Sequence, residues 1–316
     1  MIRATPSNPL NGLHHVTAIT GEAGANLDFY TRILGMRLVK KTVNQDDVSA
    51  YHLFYADGAG SPGTDLTFFD WPSTPPNRPG AGSIGPVALR VASPASLGWW
   101  RARFDGSGIP HQGAQRLAFV DPEGQRLELV SDGGVEGGTP WPLSPVPAEH
   151  QIKGLHGVTL VSGRPQITAG ILTEVLGFRI VETQALEGGG FEHILEVGRG
   201  GPGTEVRLSV PDTASRAEQG RGGVHHVAFR VPDDRTQVEW QQRLAEVGLE
   251  PTPVIDRFYF RSVYFREPGG ILFEIATDGP GFSADEPAES MGTHLALPPF
   301  LEARRAEIEA GLSPLA

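Results

Sequence analysis

Histidine occurs ten times in these 316 residues and cysteine not at all. Any metal would therefore be held by imidazole, carboxylate or water, and the chain has neither a thiolate nucleophile nor a disulfide framework. Two histidine doublets stand out, His14-His15 and His225-His226. Each lies in a segment, LHHVT or VHHVA, that reads as a strand. Successive side chains on a strand point to opposite faces. One histidine of each doublet can therefore serve a given site, and the other must face elsewhere.

Internal repetition says which one. Gly12-Leu13-His14-His15-Val16-Thr17 resembles Gly154-Leu155-His156-Gly157-Val158-Thr159, and Pro62-Gly63-Thr64-Asp65-Leu66 resembles Pro202-Gly203-Thr204-Glu205-Val206. A third pair, residues 85–91 against 225–231, has the same offset of roughly 140 residues, as a duplicated large unit requires. Each half holds two similar modules. A module opens with a strand (residues 13–20, 87–92, 155–161 and 224–231). A helical stretch follows, marked by Leu27, Tyr30, Ile33 and Leu34 in the first module and by Trp240, Leu244 and Val247 in the fourth. Gly35, Gly177 and Gly248 sit where helix C-caps belong. Further strands come after Gly and Pro turns, such as residues 51–55, 65–69, 262–265 and 271–275. The expected fold is α+β, four βαβββ modules in two tandem domains at 1–148 and 149–316. Residues 71–79 and 137–147 read as Pro-rich linkers, and residues 298–312 as one amphipathic helix with a solvated face.

Set in register, the opening strands place His15, Pro86, Gly157 and His226 in one slot, and the closing strands place Thr67, Glu128, Arg207 and Glu274 in another. Modules one and four alone carry histidine in the first slot. If they share a sheet, His15, His226 and Glu274 form one donor set. Two imidazoles and a carboxylate suit a divalent metal with open positions, as in non-haem Fe(II) oxygenases. Thr67 is a poor ligand and leaves room for substrate and O₂. Modules two and three would then pair as a non-catalytic half, with Glu128 structural and able to pair with Arg207. His14 matches His156 and is the weaker ligand candidate. His52, His111, His150, His193 and His294 read as hydrogen-bonded structural residues.

The net charge of −11 argues against binding to nucleic acid or anionic membranes. No apolar run is long enough to span a bilayer, and the N-terminal segment lacks the apolar core of a signal peptide. The expected location is the cytoplasm.

The modules and ligand slots together resemble the vicinal oxygen chelate superfamily, with a glyoxalase/bleomycin-resistance/dihydroxybiphenyl-dioxygenase-like fold. Residues 13–17, 51–57, 60–64, 224–226 and 268–274 are most similar to the hydroquinone ring-cleaving dioxygenases, including chlorohydroquinone 1,2-dioxygenases. Catechol extradiol enzymes of the superfamily take both histidines from modules three and four, and Gly157 departs from that pattern. The resemblance implies Fe(II), with Mn(II) as the other metal suited to the site, an aromatic diol and O₂ as reactants, and a homodimer. It also implies a substrate pocket formed by Thr17, His225, Arg257 and Tyr264. Tyr264 would hydrogen-bond a phenolate, and Arg257 would neutralise an anionic substrate. Which of His225, Tyr264 or His14 moves the proton is open, and His225 needs a bulge or a position behind the ligands. The competing functions are a glyoxalase-type lyase or isomerase, which would need a second glutamate at Thr67, and a non-catalytic small-molecule binding protein.

Overall fold

The computed structural model describes residues 8–315. Residues 1–7, part of the segment read for a leader, and Ala316 lie outside the described residues. Four modules follow one another. The first has strands β1 (Leu13–Thr20), β2 (Arg37–Asn44), β3 (Asp47–Ala56) and β4 (Asp65–Asp70). The second has β5 (Ser83–Val91), β6 (His111–Gln112), β7 (Arg116–Val120) and β8 (Arg126–Ser131). The third has β9 (Gly154–Val161), β10 (Arg179–Ala185), β11 (Gly190–Glu196) and β12 (Glu205–Pro211). The fourth has β13 (Gly223–Val231), β14 (Ile255–Asp256), β15 (Arg261–Arg266) and β16 (Leu272–Thr277).

One helix follows each opening strand, and the helices alternate in kind. α1 (Ala23–Asp28) and α3 (Pro165–Gly170) each widen into a π-turn, at Phe29–Ile33 and Ile171–Val175. α2 (Pro94–Ser107) and α4 (Asp234–Glu246) are regular and are capped by Ser93 and Asp233, whose side chains accept from the backbone N–H of Ser96 and Thr236. Modules one and three thus match each other, as do two and four, which is the pattern left by duplicating a two-module unit.

The modules do not pair within each half. One eight-stranded sheet runs β14-β15-β16-β13-β1-β4-β3-β2, and the other runs β10-β11-β12-β9-β5-β8-β7-β6. Modules one and four therefore share a sheet, and modules two and three share the other. The halves join through the antiparallel pairs β1–β13 and β5–β9. All eight residues of β1 are buried because both faces of the sheet centre are covered. Val16 and Phe68 belong to the main core, while His15 and Thr17 face a cavity within the curl of the sheet.

The C-terminal segment is not one helix over 298–312. A turn leads into a 3₁₀ turn at Glu302–Arg304, and only Arg305–Gly311 (α5) is α-helical. The N–H groups of Leu301, Glu302 and Arg304 bond three residues back, to Pro298, Pro299 and Leu301, which makes tight turns in place of the first α-turns. The expected pairing of Glu128 with Arg207 does not occur either. Glu128 binds Arg116 at 2.7 Å, while Arg207 binds Glu205 at 2.8 Å and Glu192 at 2.9 Å. Arg207 on β12 is held by carboxylates on its own strand and on β11, so it has no charge left to satisfy across the sheet. A Cβ at Gly157 would lie 2.8 Å from the Glu205 carbonyl oxygen, so that cup has no room for a side chain where the other has histidine.

Candidate metal centre

His15 on β1, His226 on β13 and Glu274 on β16 converge at the centre of the first sheet, all three buried. Nε2 of His15 lies 3.2 Å from Nε2 of His226 and 3.2 Å from Oε2 of Glu274. Nε2 of His226 lies 2.9 Å from the same carboxylate oxygen. Glu274 Oε2 is sealed from solvent and has no hydrogen-bond partner. The other oxygen, Oε1, accepts from Ser262 Oγ at 2.6 Å.

Both doublets are tied in the same way. His14 Nδ1 and His15 Nδ1 share a hydrogen bond of 2.9 Å, and His225 Nδ1 and His226 Nδ1 one of 2.8 Å. The register between β1 and β13 shifts between Leu13 and His15 and again after Thr17, and this irregularity lets adjacent rings meet. Each inner ring thus has Nδ1 engaged and Nε2 turned to the cluster. Burial keeps His226 below the ordinary imidazole range, with Glu274 opposing. Burial alone would raise Glu274, but the two flanking imidazoles hold its carboxyl well below the usual range. A neutral His226 imidazole beside an ionised Glu274 carboxylate is the pair of protonation states a metal requires.

The other residues named from the sequence separate into two groups. Thr17, Arg257 and Tyr264 line the same cavity as His15 and His226. The Arg257 guanidinium binds both carboxylate oxygens of Asp46, at 3.1 and 2.8 Å, and stacks over the Tyr264 ring at 5.6 Å. Tyr264 meets His226 edge-on, 5.6 Å between ring centroids, and burial, then the charge of Glu274, raises its hydroxyl above the ordinary phenol range. His225 does not line this cavity. It borders a separate hollow beside Gln219 and Arg266, behind His226. His14 is buried against Phe260, and its Nε2 has no hydrogen-bond partner.

Two residues in the cavity wall or behind it were read otherwise or passed over. His52, taken from the sequence for a structural residue, lines the cavity, and Ser262 orients Glu274. A third repeated slot would have flagged both. In every module the third strand places a side chain against the residue of the closing-strand slot: His52 on Thr67, Arg116 on Glu128, Glu192 on Arg207 and Ser262 on Glu274.

The sequence and the fold match known proteins. The chain belongs to the Glyoxalase/Bleomycin resistance protein/Dioxygenase superfamily, whose model matches residues 12–140 and 154–275. It is 45% identical over 313 residues, 97% of this chain and 99% of the relative, to "Putative ring-cleaving dioxygenase MhqA" of Bacillus subtilis strain 168. It is 30% identical over 314 residues, 95% of each chain, to the chlorohydroquinone/hydroquinone 1,2-dioxygenase of Sphingobium indicum. A crystal structure of a "putative dioxygenase" from Bacillus subtilis superposes with a TM-score of 0.90 at 39% identity, covering 98% of this chain and 99% of that one.

Proposed function

We propose that the protein is a ring-cleaving dioxygenase that opens an aromatic diol with O₂ at a single Fe(II) held by His15, His226 and Glu274. The observation that carries the reading is the buried, partnerless Oε2 of Glu274 between two imidazole Nε2 atoms. A buried charge without a hydrogen bond is costly, and a cation shared with two imidazoles satisfies it. The spacing also fits. An octahedral metal about 2.1 Å from each donor places adjacent donors about 3.0 Å apart. The three observed edges, 2.9, 3.2 and 3.2 Å, bracket that value. When bound, such a metal binds both reactants and lowers the pKa of a coordinated phenol.

The chain's own residues prepare the rest. His15 and His226 can offer Nε2 only if Nδ1 carries the proton, so each donates from Nδ1 to its neighbour, His14 or His225. These outer rings hold the tautomer and orientation of the inner ones. Thr67 at the fourth slot is neutral and hydrogen-bonded to Thr17, so it leaves the remaining side of the cluster open to ligands. Tyr264, protonated at neutral pH, can donate to a phenolate oxygen beside His226. Arg257, fixed by Asp46, supplies positive charge over the same ring. Phe54, Phe69 and Phe260 give the cavity apolar walls that suit an aromatic substrate and exclude water.

Anaerobic loading with Fe(II), then O₂ uptake on a panel of hydroquinones and catechols with ¹⁸O₂ product analysis, tests this. Stoichiometric uptake with both labelled atoms in a ring-opened acid is expected. An iron-loaded protein that consumes no O₂ with any diol would overturn the reading.

A further inference from the structure

His52 Nε2 lies 2.9 Å from Thr67 Oγ1, and Thr67 Oγ1 donates to Thr17 Oγ1 at 2.9 Å. Thr67 has one proton, and it goes to Thr17. His52 must therefore donate from Nε2, which leaves Nδ1 as a lone-pair acceptor. Among the described residues the Nε2 contact is the ring's one hydrogen bond. The ring is wedged between Phe54 and Phe69, 3.9 and 4.5 Å between centroids, and it lines the cavity that holds His15 and His226. Two other polar groups there are engaged: Arg257 is held by Asp46, and Thr17 accepts from Thr67.

The repeat shows how unusual this position is. Arg116, Glu192 and Ser262 occupy the equivalent place in the other modules, and each orients its slot residue. His52 does the same for Thr67, and its ring also lines the cavity.

Building on the dioxygenase reading, we propose that His52 Nδ1 accepts the hydrogen bond of the substrate hydroxyl that is not on the metal, which selects diols with hydroxyls on opposite sides of the ring. A vicinal diol places both oxygens at the metal and has nothing to offer His52. A para diol reaches across the cavity to it.

Two variants separate this role from mere support of Thr67. His52→Gln keeps a donor near the Nε2 position and deletes the acceptor at Nδ1. His52→Asn does the reverse. Anaerobic titration of the metal-loaded proteins with hydroquinone, phenol and 4-methoxyphenol reads the preference for the second O–H. The wild type is expected to prefer hydroquinone about tenfold, the worth of one good neutral hydrogen bond. The preference should vanish in His52→Gln and persist in part in His52→Asn, with metal content unchanged in both.

A preference intact in His52→Gln, or lost equally in both variants, overturns the assignment and leaves the dioxygenase reading standing. So does metal loss from either variant. A wild type that binds all three ligands alike also counts against His52 alone. A wild type that binds none of them and takes up no O₂ overturns the dioxygenase reading itself, and this one with it.

Discussion

Ser262 touches no proposed reactant, yet its hydroxyl fixes which oxygen of Glu274 faces the imidazoles. Removing a group that orients a metal ligand typically weakens binding by about 10–100-fold. Ser262→Ala should therefore raise the metal dissociation constant at least about tenfold, measured by competition with a chelator. An unchanged constant would show that packing alone orients Glu274. The imidazoles carry a second prediction at this scale. Burial pushes His14 and His225 down to about 3 and His52 well below its ordinary value. Below about pH 6.5 the unfolded chain takes up protons that these native rings refuse. Each ring should thus cost the metal-free protein about 1.4 kcal/mol per pH unit as the pH falls. Asp70 and Asp121, raised by burial to about 6, act in the opposite sense as the pH falls from about 6 to about 4, and Asp65, pushed well above its ordinary value by burial, acts in that sense too. Between pH 7 and 5 four lowered imidazoles, His226 included, outweigh three raised carboxyls. Urea denaturation of chelator-treated protein should give a lower stability at pH 5 than at pH 7, and a flat profile would contradict these shifts.

At the scale of elements, the site depends on a segment whose only regular pieces are a 3₁₀ turn at Phe282–Ala284 and a single bridge from Leu295 to Lys41. Residues 281–297 run along β2, with Ala296 N–H donating to the Lys41 carbonyl and Gly281 N–H to that of Tyr259. Lys40, fully buried, binds Asp285 at 2.7 Å and also Glu286, and Tyr259 donates to Asp285 at 2.8 Å. Phe282 packs on Phe54 in the cavity wall, 5.0 Å between centroids. Lys40→Met leaves two carboxylates without their cation and should destabilise the fold by about 3 kcal/mol, read by chemical denaturation, whereas a loss below about 1 kcal/mol would place the pair in the class of weak surface bridges. None of this was legible in the sequence. The segment has no periodicity, and its contacts reach more than 200 residues back along the chain, from Asp285 to Lys40. The opening strands were legible because alternation and repetition mark them twice over. His15, His226 and Glu274 stood out for the same reason. His52 was missed because the modules were aligned on their first and last strands and not on their third. The true partner of Glu128 was missed because ion pairs depend on side-chain reach, which register alone does not give.

For the whole molecule, the governing fact is that each sheet takes one module from each half of the chain. The proposed metal is then bound by residues 211 positions apart, His15 and His226, on the two strands that join the halves. On the proposed reading the second sheet serves as scaffold. Its cup is filled by the Arg116, Glu128, Glu205 and Arg207 network and closed at Gly157. No helix among the described residues is long and apolar enough to cross a membrane.

One divalent metal held by His15, His226 and Glu274 underlies every step above. Elemental analysis of protein purified without chelator, alongside His15→Ala, His226→Ala and Glu274→Gln, checks for it. Near-stoichiometric metal is expected in the wild type and none above background in the three variants, each still folded by circular dichroism. Wild-type metal content retained in any of the three folded variants would contradict this assignment.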